Sequence, residues 1–214
     1  RYWLHAEHLL VESQKMAKSL GNIYTLGELM EQGYQPEAIR YLLASVPYRK
    51  KLNFTFDGLK SAATSIERLR NFNTRLETEN FPEGVGAGGD ERAARALNEF
   101  ENGMDDDLNT AAALAAVFEY IRDTNSTMDA GGFRKGDVAS AQDVMQRFDS
   151  VFDVLHPGEQ AGGIPDAEIE ALIEERIQAK KSRNFARADQ IRAGLVERGI
   201  VLEDTKEGTR WKRK

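Results

Sequence analysis

Two lysines three positions apart, Lys15 and Lys18, stand in the stretch KMAKSLGN that begins at Lys15. Ammonium groups at that spacing on a flexible loop suit a polyphosphate. Each is a movable point charge, able to meet negative charge as it develops on a departing pyrophosphate. Gly21 permits backbone angles that other residues resist, and Ser19 and Asn22 can fix the loop ends by side-chain hydrogen bonds. The same residues would also serve as an ordinary solvated turn, so the surrounding sequence has to decide.

Three other clusters could do chemistry. His5 and His8 lie close to the lysine loop, but two histidines on an extended segment do not converge easily on one metal, and no cysteine completes a set; a structural reading is expected. Asp105-Asp106-Asp107 offers carboxylates for Mg2+, yet consecutive acids on a helix point in different directions. Followed by Leu108-Asn109-Thr110, they read as a helix cap, with positioning of a nucleic acid as the lesser alternative. At the tail, Arg176, Lys180, Lys181, Arg183, Arg187 and Arg192 stud two helical stretches, and Arg210-Trp211-Lys212-Arg213-Lys214 closes the chain. Such runs are usually solvated helix faces, but an indole among cations on a short hairpin is what stacking on an unpaired base requires. Glu203 and Asp204 could accept hydrogen bonds from base edges.

The elements that must position these groups are mainly helical. Tyr2, Trp3, Leu4, Leu9, Leu10 and Val11 predict a strand or buried edge leading into the loop. Thr25 and Glu28 have capping-box spacing for a short helix ending near Gly33, and Pro36 opens a second helix that stops before Pro47. From Thr55, apolar residues recur at three- and four-residue steps through Leu76. Helices are predicted over about 90–102, from Thr110 through Ile121, and from Val138 to Leu155, separated by glycine-bearing loops at 81–89 and 126–136. Together they make an antiparallel bundle of about four helices. Residues 156–165 have the composition of a linker; two amphipathic helices follow, then a strand at 200–203, a turn and a returning strand at 209–212. The expected class is mainly α, with a loop-bearing segment over 1–46, the bundle over 47–157 and a small α/β domain over 166–214.

With 214 residues, 41% hydrophobic and 30% charged, the chain reads as globular rather than disordered. No apolar run approaches the roughly 18 residues of a membrane span, and RYWLHAEHLL lacks the pattern of a signal peptide. Zero cysteines exclude disulfides and thiolate metal sites within the chain. A cytoplasmic monomer with no membrane contact is expected. The start on Arg1 rather than Met suggests a piece of something longer. Net charge is −6, but unevenly spread: +1 over 1–50, −9 over 51–164 and +2 over 165–214. A local basic tail can hold RNA on an acidic protein, because phosphate contacts are short-ranged in salt.

The window YWLHAEHLLVESQKMAKSLGN resembles the KMSKS signature of class I aminoacyl-tRNA synthetases, in particular the cysteinyl-tRNA synthetases. The resemblance continues through Ala38-Ile39-Arg40-Tyr41, Tyr48-Arg49, Leu52-Asn53-Phe54 and Met104 to Thr110. It resumes at Ala188-Asp189-Gln190-Ile191-Arg192 and runs through Gly199 to Trp211. It implies an enzyme that activates cysteine with ATP and Mg2+ to cysteinyl-adenylate, then passes the acyl group to tRNA-Cys. It further implies that Lys18 is the ATP-phosphate ligand with Ser19 beside it, that Lys15 supports loop closure, and that Asp204, Arg210 and Trp211 contact the anticodon. Ala17 departs from the signature, where the family usually has serine; the lost hydroxyl is one hydrogen bond, worth about 1 kcal/mol. The family's Zn2+ ligands, its cysteine pocket and its His-x-Gly-His signature are expected upstream, so the chain alone should bind tRNA without aminoacylating. A cysteine ligase with a small amino-sugar acceptor shares the KMSKS half, and a non-catalytic tRNA-binding relative would keep the rest; both stay open here.

Overall fold

In the computed structural model the described residues are 3–156, 166–182, 184–205 and 208–213, without the side chains of residues 166, 167, 203–205, 208, 210, 212 and 213. The chain divides into two compact units, 1–156 and 157–214.

The first unit begins with a small sheet in the order β2-β1-β3, formed by β1 (Leu10–Val11), β2 (Gln14–Lys15) and β3 (Asn53–Phe54). The strand is shorter than the apolar pattern predicts: Trp3 is 88% exposed and Leu4 is exposed too, because only from Leu10 does a partner strand exist to bury against. Tyr2 lies outside the described residues. Helix α1 (Leu26–Glu31) carries the expected capping box, with Glu28 N–H donating to Thr25 Oγ1 at 3.2 Å and Thr25 N–H to Glu28 Oε2 at 2.7 Å. Helix α2 (Pro36–Ala44) opens on proline, whose missing N–H costs nothing at a helix start. Val11, Leu29, Ile39, Phe54 and Leu59 close a small core under the sheet.

Helix α3 (Phe56–Thr78) is 23 residues long, and Leu59, Ala62, Ile66, Leu69, Phe72 and Leu76 form its buried stripe. Thr55 caps it by accepting from Gly58 N–H at 2.9 Å. Helices α4 (Gly89–Asp105), α5 (Thr110–Asp129) and α6 (Val138–Phe152) complete the bundle, with α4 against both α5 and α6. Gly103 lets α4 and α5 approach so closely that a Cβ there would lie 2.7 Å from the Ala113 nitrogen. The end of α5 runs past the predicted loop start at 126, because Met128 is buried in the core. Phe148 and Phe152 stack at 4.9 Å beside Phe100, deep in the bundle. Chain exit from α6 is pinned from two helices: Arg40 donates to Phe152 O, and Arg70 donates to Val154 O at 2.8 Å and Leu155 O at 2.8 Å.

The second unit packs α7 (Asp166–Lys181) on α8 (Phe185–Glu197) and α8 on β4 (Ile200–Thr205), which pairs antiparallel with β5 (Gly208–Arg213). Both strands extend further toward the turn than the sequence predicts. Its core is Ile169, Ile173, Ile191, Leu195, Ile200 and Leu202. The linker residues 157–165 lie outside the described residues.

Candidate functional site

Between β1 and β2 the chain reverses in two residues, Glu12 and Ser13, at φ of 47° and 64°. A two-residue hairpin with both central residues in the left-handed region normally uses Asn-Gly or Asp-Gly. Placing ordinary side chains there costs about 1–2 kcal/mol per residue. The opposing bonds come from the β3–α3 junction. Ser13 N–H donates to Asn53 Oδ1 at 2.7 Å, and Asn53 Nδ2 to Ser13 Oγ at 3.1 Å. Glu12 N–H donates to Phe54 O at 2.9 Å, while the Glu12 carboxylate accepts from Phe56 N–H at 3.0 Å. That amide is one of the free donors at the start of α3, where negative charge is favoured.

From this turn the chain enters the lysine loop. Lys15 ends β2 opposite Leu10; Ala17 is extended; Lys18–Leu20 makes one 3-10 turn, closed by Gly21 in the left-handed region at φ 62°. Asn22 clips the loop across its mouth: its Oδ1 accepts from Ala17 N–H at 2.8 Å and its Nδ2 donates to Lys15 O at 3.1 Å. The expectation that Asn22 fixes the loop end therefore holds, whereas Ser19 is exposed with no side-chain bond among the described residues. Ala17 engages through its backbone, so the missing hydroxyl leaves the clip intact. Lys15 and Lys18 are both exposed, and neither has a carboxylate partner among the described residues. The loop thus carries two solvent-facing ammonium groups on a braced backbone, charges of the kind that can meet an anion. His5 and His8 are exposed on the approach to β1.

The acidic run divides its labour. Asn109, not an aspartate, caps α5 by accepting from Ala112 N–H at 3.2 Å. Asp106 accepts from Asn109 Nδ2 at 3.1 Å. Asp107 instead reaches across to Tyr48, whose hydroxyl donates to it at 2.7 Å, and to the Arg49 guanidinium. Capping thus describes Asn109, while Asp107 joins the bundle to the segment after α2. Among the described residues no group of three or more His, Cys, Asp or Glu could hold a metal ion.

In the second unit Trp211 sits opposite Leu202, half-buried against the apolar core. The backbones of Asp204 and Arg210 pair with Thr209 and Glu203; their side chains lie outside the described residues. Arg176 departs from the expected solvated face: it is 3% exposed, directed at Thr209 Oγ1 at 3.5 Å. Arg187 pairs with Glu175 at 2.8 Å, Lys181 and Arg192 are exposed, and Arg183 lies outside the described residues.

Glu12 and Asn53 stood in the sequence only inside stretches that carry the resemblance, with no sign that they bond across the β1–β2 turn.

Comparison with known proteins matches three stretches of the chain. Residues 1–64 match the model of the tRNA synthetases class I (C) catalytic domain, 99–156 the DALR domain, and 165–211 the cysteinyl-tRNA ligase anticodon binding domain. Over 214 residues the chain is 63% identical to the cysteine–tRNA ligase of Solibacter usitatus, covering all of this chain and 46% of that protein. The ligase of Koribacter versatilis is 45% identical over 241 residues, covering 49% of its length, and that of Chlamydia abortus 41% over 215 residues, covering 44%. The chain therefore spans about half the length of the curated relatives it matches. A ternary complex of Agrobacterium radiobacter LeuRS with tRNA and LeuAMS shares the fold, with a TM-score of 0.53 and 21% identity over 69% of this chain and 20% of that one. Matched in order by three models and along its whole length by these ligases, the chain belongs to the cysteine–tRNA ligase family of class I tRNA synthetases.

Proposed function

We propose that the chain supplies the phosphate-facing loop and the tRNA-binding portion of a cysteine–tRNA ligase. In that reaction cysteine and ATP give cysteinyl-adenylate and pyrophosphate, and the acyl group passes to the 3′ end of tRNA-Cys. Lys18 meets the phosphates, with Ser19 beside it, and Lys15 supports the loop as it closes. The observation that carries this reading is the pair of exposed lysines, without a carboxylate partner among the described residues, on a loop clipped by Asn22. Positive charge held there acts where negative charge develops as pyrophosphate leaves.

Residues 1–46 then carry the loop and the stem contact, 47–157 lie against the inner face of the tRNA, and 166–214 read the anticodon. Asp204, Arg210 and Trp211 are the anticodon contacts in this reading. The bundle contributes shape more than charge: Arg75 is paired with Asp129 and Glu79, Arg147 with Glu101, and Lys135 with Glu83. An anticodon-binding model over 165–211 argues against a small amino-sugar acceptor, which would have no use for it. Mg2+ accompanies ATP, bound largely through phosphates and water. No step is assigned to Zn2+, since no described group of residues suits it.

The test is a graft. This chain replaces the matching half of the Solibacter usitatus ligase, and cysteine-dependent ATP–pyrophosphate exchange and charging of tRNA-Cys are measured. Both activities are expected, with Lys18→Ala lowering exchange by roughly a hundredfold. A folded graft that neither exchanges nor charges overturns the reading.

A further inference from the structure

The Glu12–Ser13 turn is the wrong chemistry for a turn and the right chemistry for a tether. A chain needing only to reverse direction with two residues at positive φ would place glycine or asparagine there. Glu12 and Ser13 instead send their polar groups into the same neighbour, the junction between β3 and α3. The Glu12 carboxylate ends on the first amide of α3, a 23-residue helix of the bundle, and Asn53 holds Ser13 by both backbone and hydroxyl. Lys15 follows two residues later and is held in turn by Asn22. An unbroken line of bonds thus joins α3 to the backbone of the lysine loop. A backbone conformation that is costly alone and over-determined by its neighbours marks a position held for more than local folding.

We propose that Glu12 and Asn53 are positioning residues, which fix the aim of the lysine loop to the N-terminus of α3 rather than leaving it to the hairpin alone. The bundle then sets where Lys15 and Lys18 point. The kinetic consequence rests on the reading of those lysines as phosphate ligands; the tether itself does not.

Glu12→Gly separates the two roles, because glycine relieves the backbone at that φ while deleting the carboxylate. In the full chain, amide hydrogen exchange over residues 14–22 is expected to accelerate about fivefold or more, with the melting temperature unchanged or raised. Asn53→Ala should act in the same direction, and Glu12→Gln, which keeps an acceptor oxygen, should restore most of the protection. In the grafted ligase Glu12→Gly should lower kcat for pyrophosphate exchange roughly tenfold with KM for ATP nearly unchanged, as a misaimed rather than missing group does. Exchange over residues 14–22 equal to that of the unaltered chain overturns the tether. Accelerated exchange together with unaltered kinetics in both Glu12→Gly and Lys18→Ala keeps the tether and overturns the phosphate reading instead.

Discussion

The Tyr48 hydroxyl donates to the Asp107 carboxylate at 2.7 Å, across a sequence separation of 59 residues. The Arg49 guanidinium grips the same carboxylate through Nε, and through Nη2 at 3.3 Å. Asp107 and Leu108 both have positive φ, 53° and 56°, in the tight turn between α4 and α5. The turn therefore presents a carboxylate outward at the cost of backbone strain, and the segment after α2 closes on it. This joint lies between the parts carrying the lysine loop and the bundle, and it is exposed to solvent.

Acid should loosen it. The Arg49 guanidinium, and after it the Tyr48 hydroxyl, hold Asp107 below the usual carboxylate range. A carboxyl depressed by folding contributes stability above its unfolded value of about 3.9 and loses it as pH falls through the lower folded value. At the alkaline end the hydrogen bond to Asp107 raises Tyr48 above the ordinary phenol. Its contribution is present below about 10 and is lost as pH rises through the folded value. Phenolate absorbance in Asp107→Asn should show Tyr48 ionising at lower pH than in the unaltered chain. Identical titrations would mean the joint does not form in solution.

Stability should be most sensitive at the phenylalanine stack. Phe148 is fully buried and stacked on Phe152 at 4.9 Å. Phe148→Ala should lower the unfolding free energy of the first unit by about 3–5 kcal/mol. Arg70→Met keeps the stem but abandons the carbonyls of Val154 and Leu155, for a loss of about 1–3 kcal/mol. Urea denaturation followed by far-ultraviolet circular dichroism measures both. Equal effects from the two would argue that the stack is not the centre of this core.

What could be read from the sequence was whatever has a local signature. Helix α3 announces itself by a stripe from Leu59 to Leu76 behind a Thr55 cap, and α1 by a capping box. Strands β1, β2 and β3 are two residues each, too short for any periodicity to register. The apolar Trp3 and Leu4 looked like strand because hydropathy says nothing of whether a partner exists. The lysine loop was legible as a motif, and Asn22 within it. Its supports were not, because Glu12 bonds a residue 44 positions away and Ser13 one 40 positions away. Asp107 read as a cap for the same reason: its partners are distant, while Asn109 is the local answer.

Trp211 gives a third prediction, in which packing and recognition must be separated. The indole is half-buried beside Leu202, so part of the ring serves the core of the second unit. Trp211→Ala should destabilise that unit, toward the low end of the ~3–5 kcal/mol seen for large aromatic truncations, and weaken tRNA-Cys binding. Stacking on one base contributes about 1–3 kcal/mol. Trp211→Phe keeps an aromatic face and most of the packing, so affinity should fall only a few-fold with the unit intact. Gel-shift titrations against tRNA-Cys and a second tRNA read this directly. Unchanged binding by Trp211→Ala would remove the indole from the recognition surface.

Asn22 allows the clip to be tested apart from the charge. Its amide uses both ends at once, accepting from Ala17 N–H and donating to Lys15 O, and only a side-chain amide of that length does both. Asn22→Asp preserves the acceptor but sets a carboxylate oxygen against the Lys15 carbonyl, exchanging a hydrogen bond for repulsion. Asn22→Ala removes both bonds and adds nothing. If the clip positions the lysines, Asn22→Asp should be at least as damaging as Asn22→Ala, each lowering kcat for pyrophosphate exchange in the grafted ligase by roughly tenfold. A loop acting through its net charge alone would keep that order but separate the two variants widely. The alanine variant would then be nearly silent, and the aspartate variant would lose activity by offsetting one lysine, an effect that fades as salt screens it. Exchange rates for both variants at low and high ionic strength decide between these outcomes: a loss in Asn22→Ala that persists in salt supports the clip, and a silent alanine overturns it.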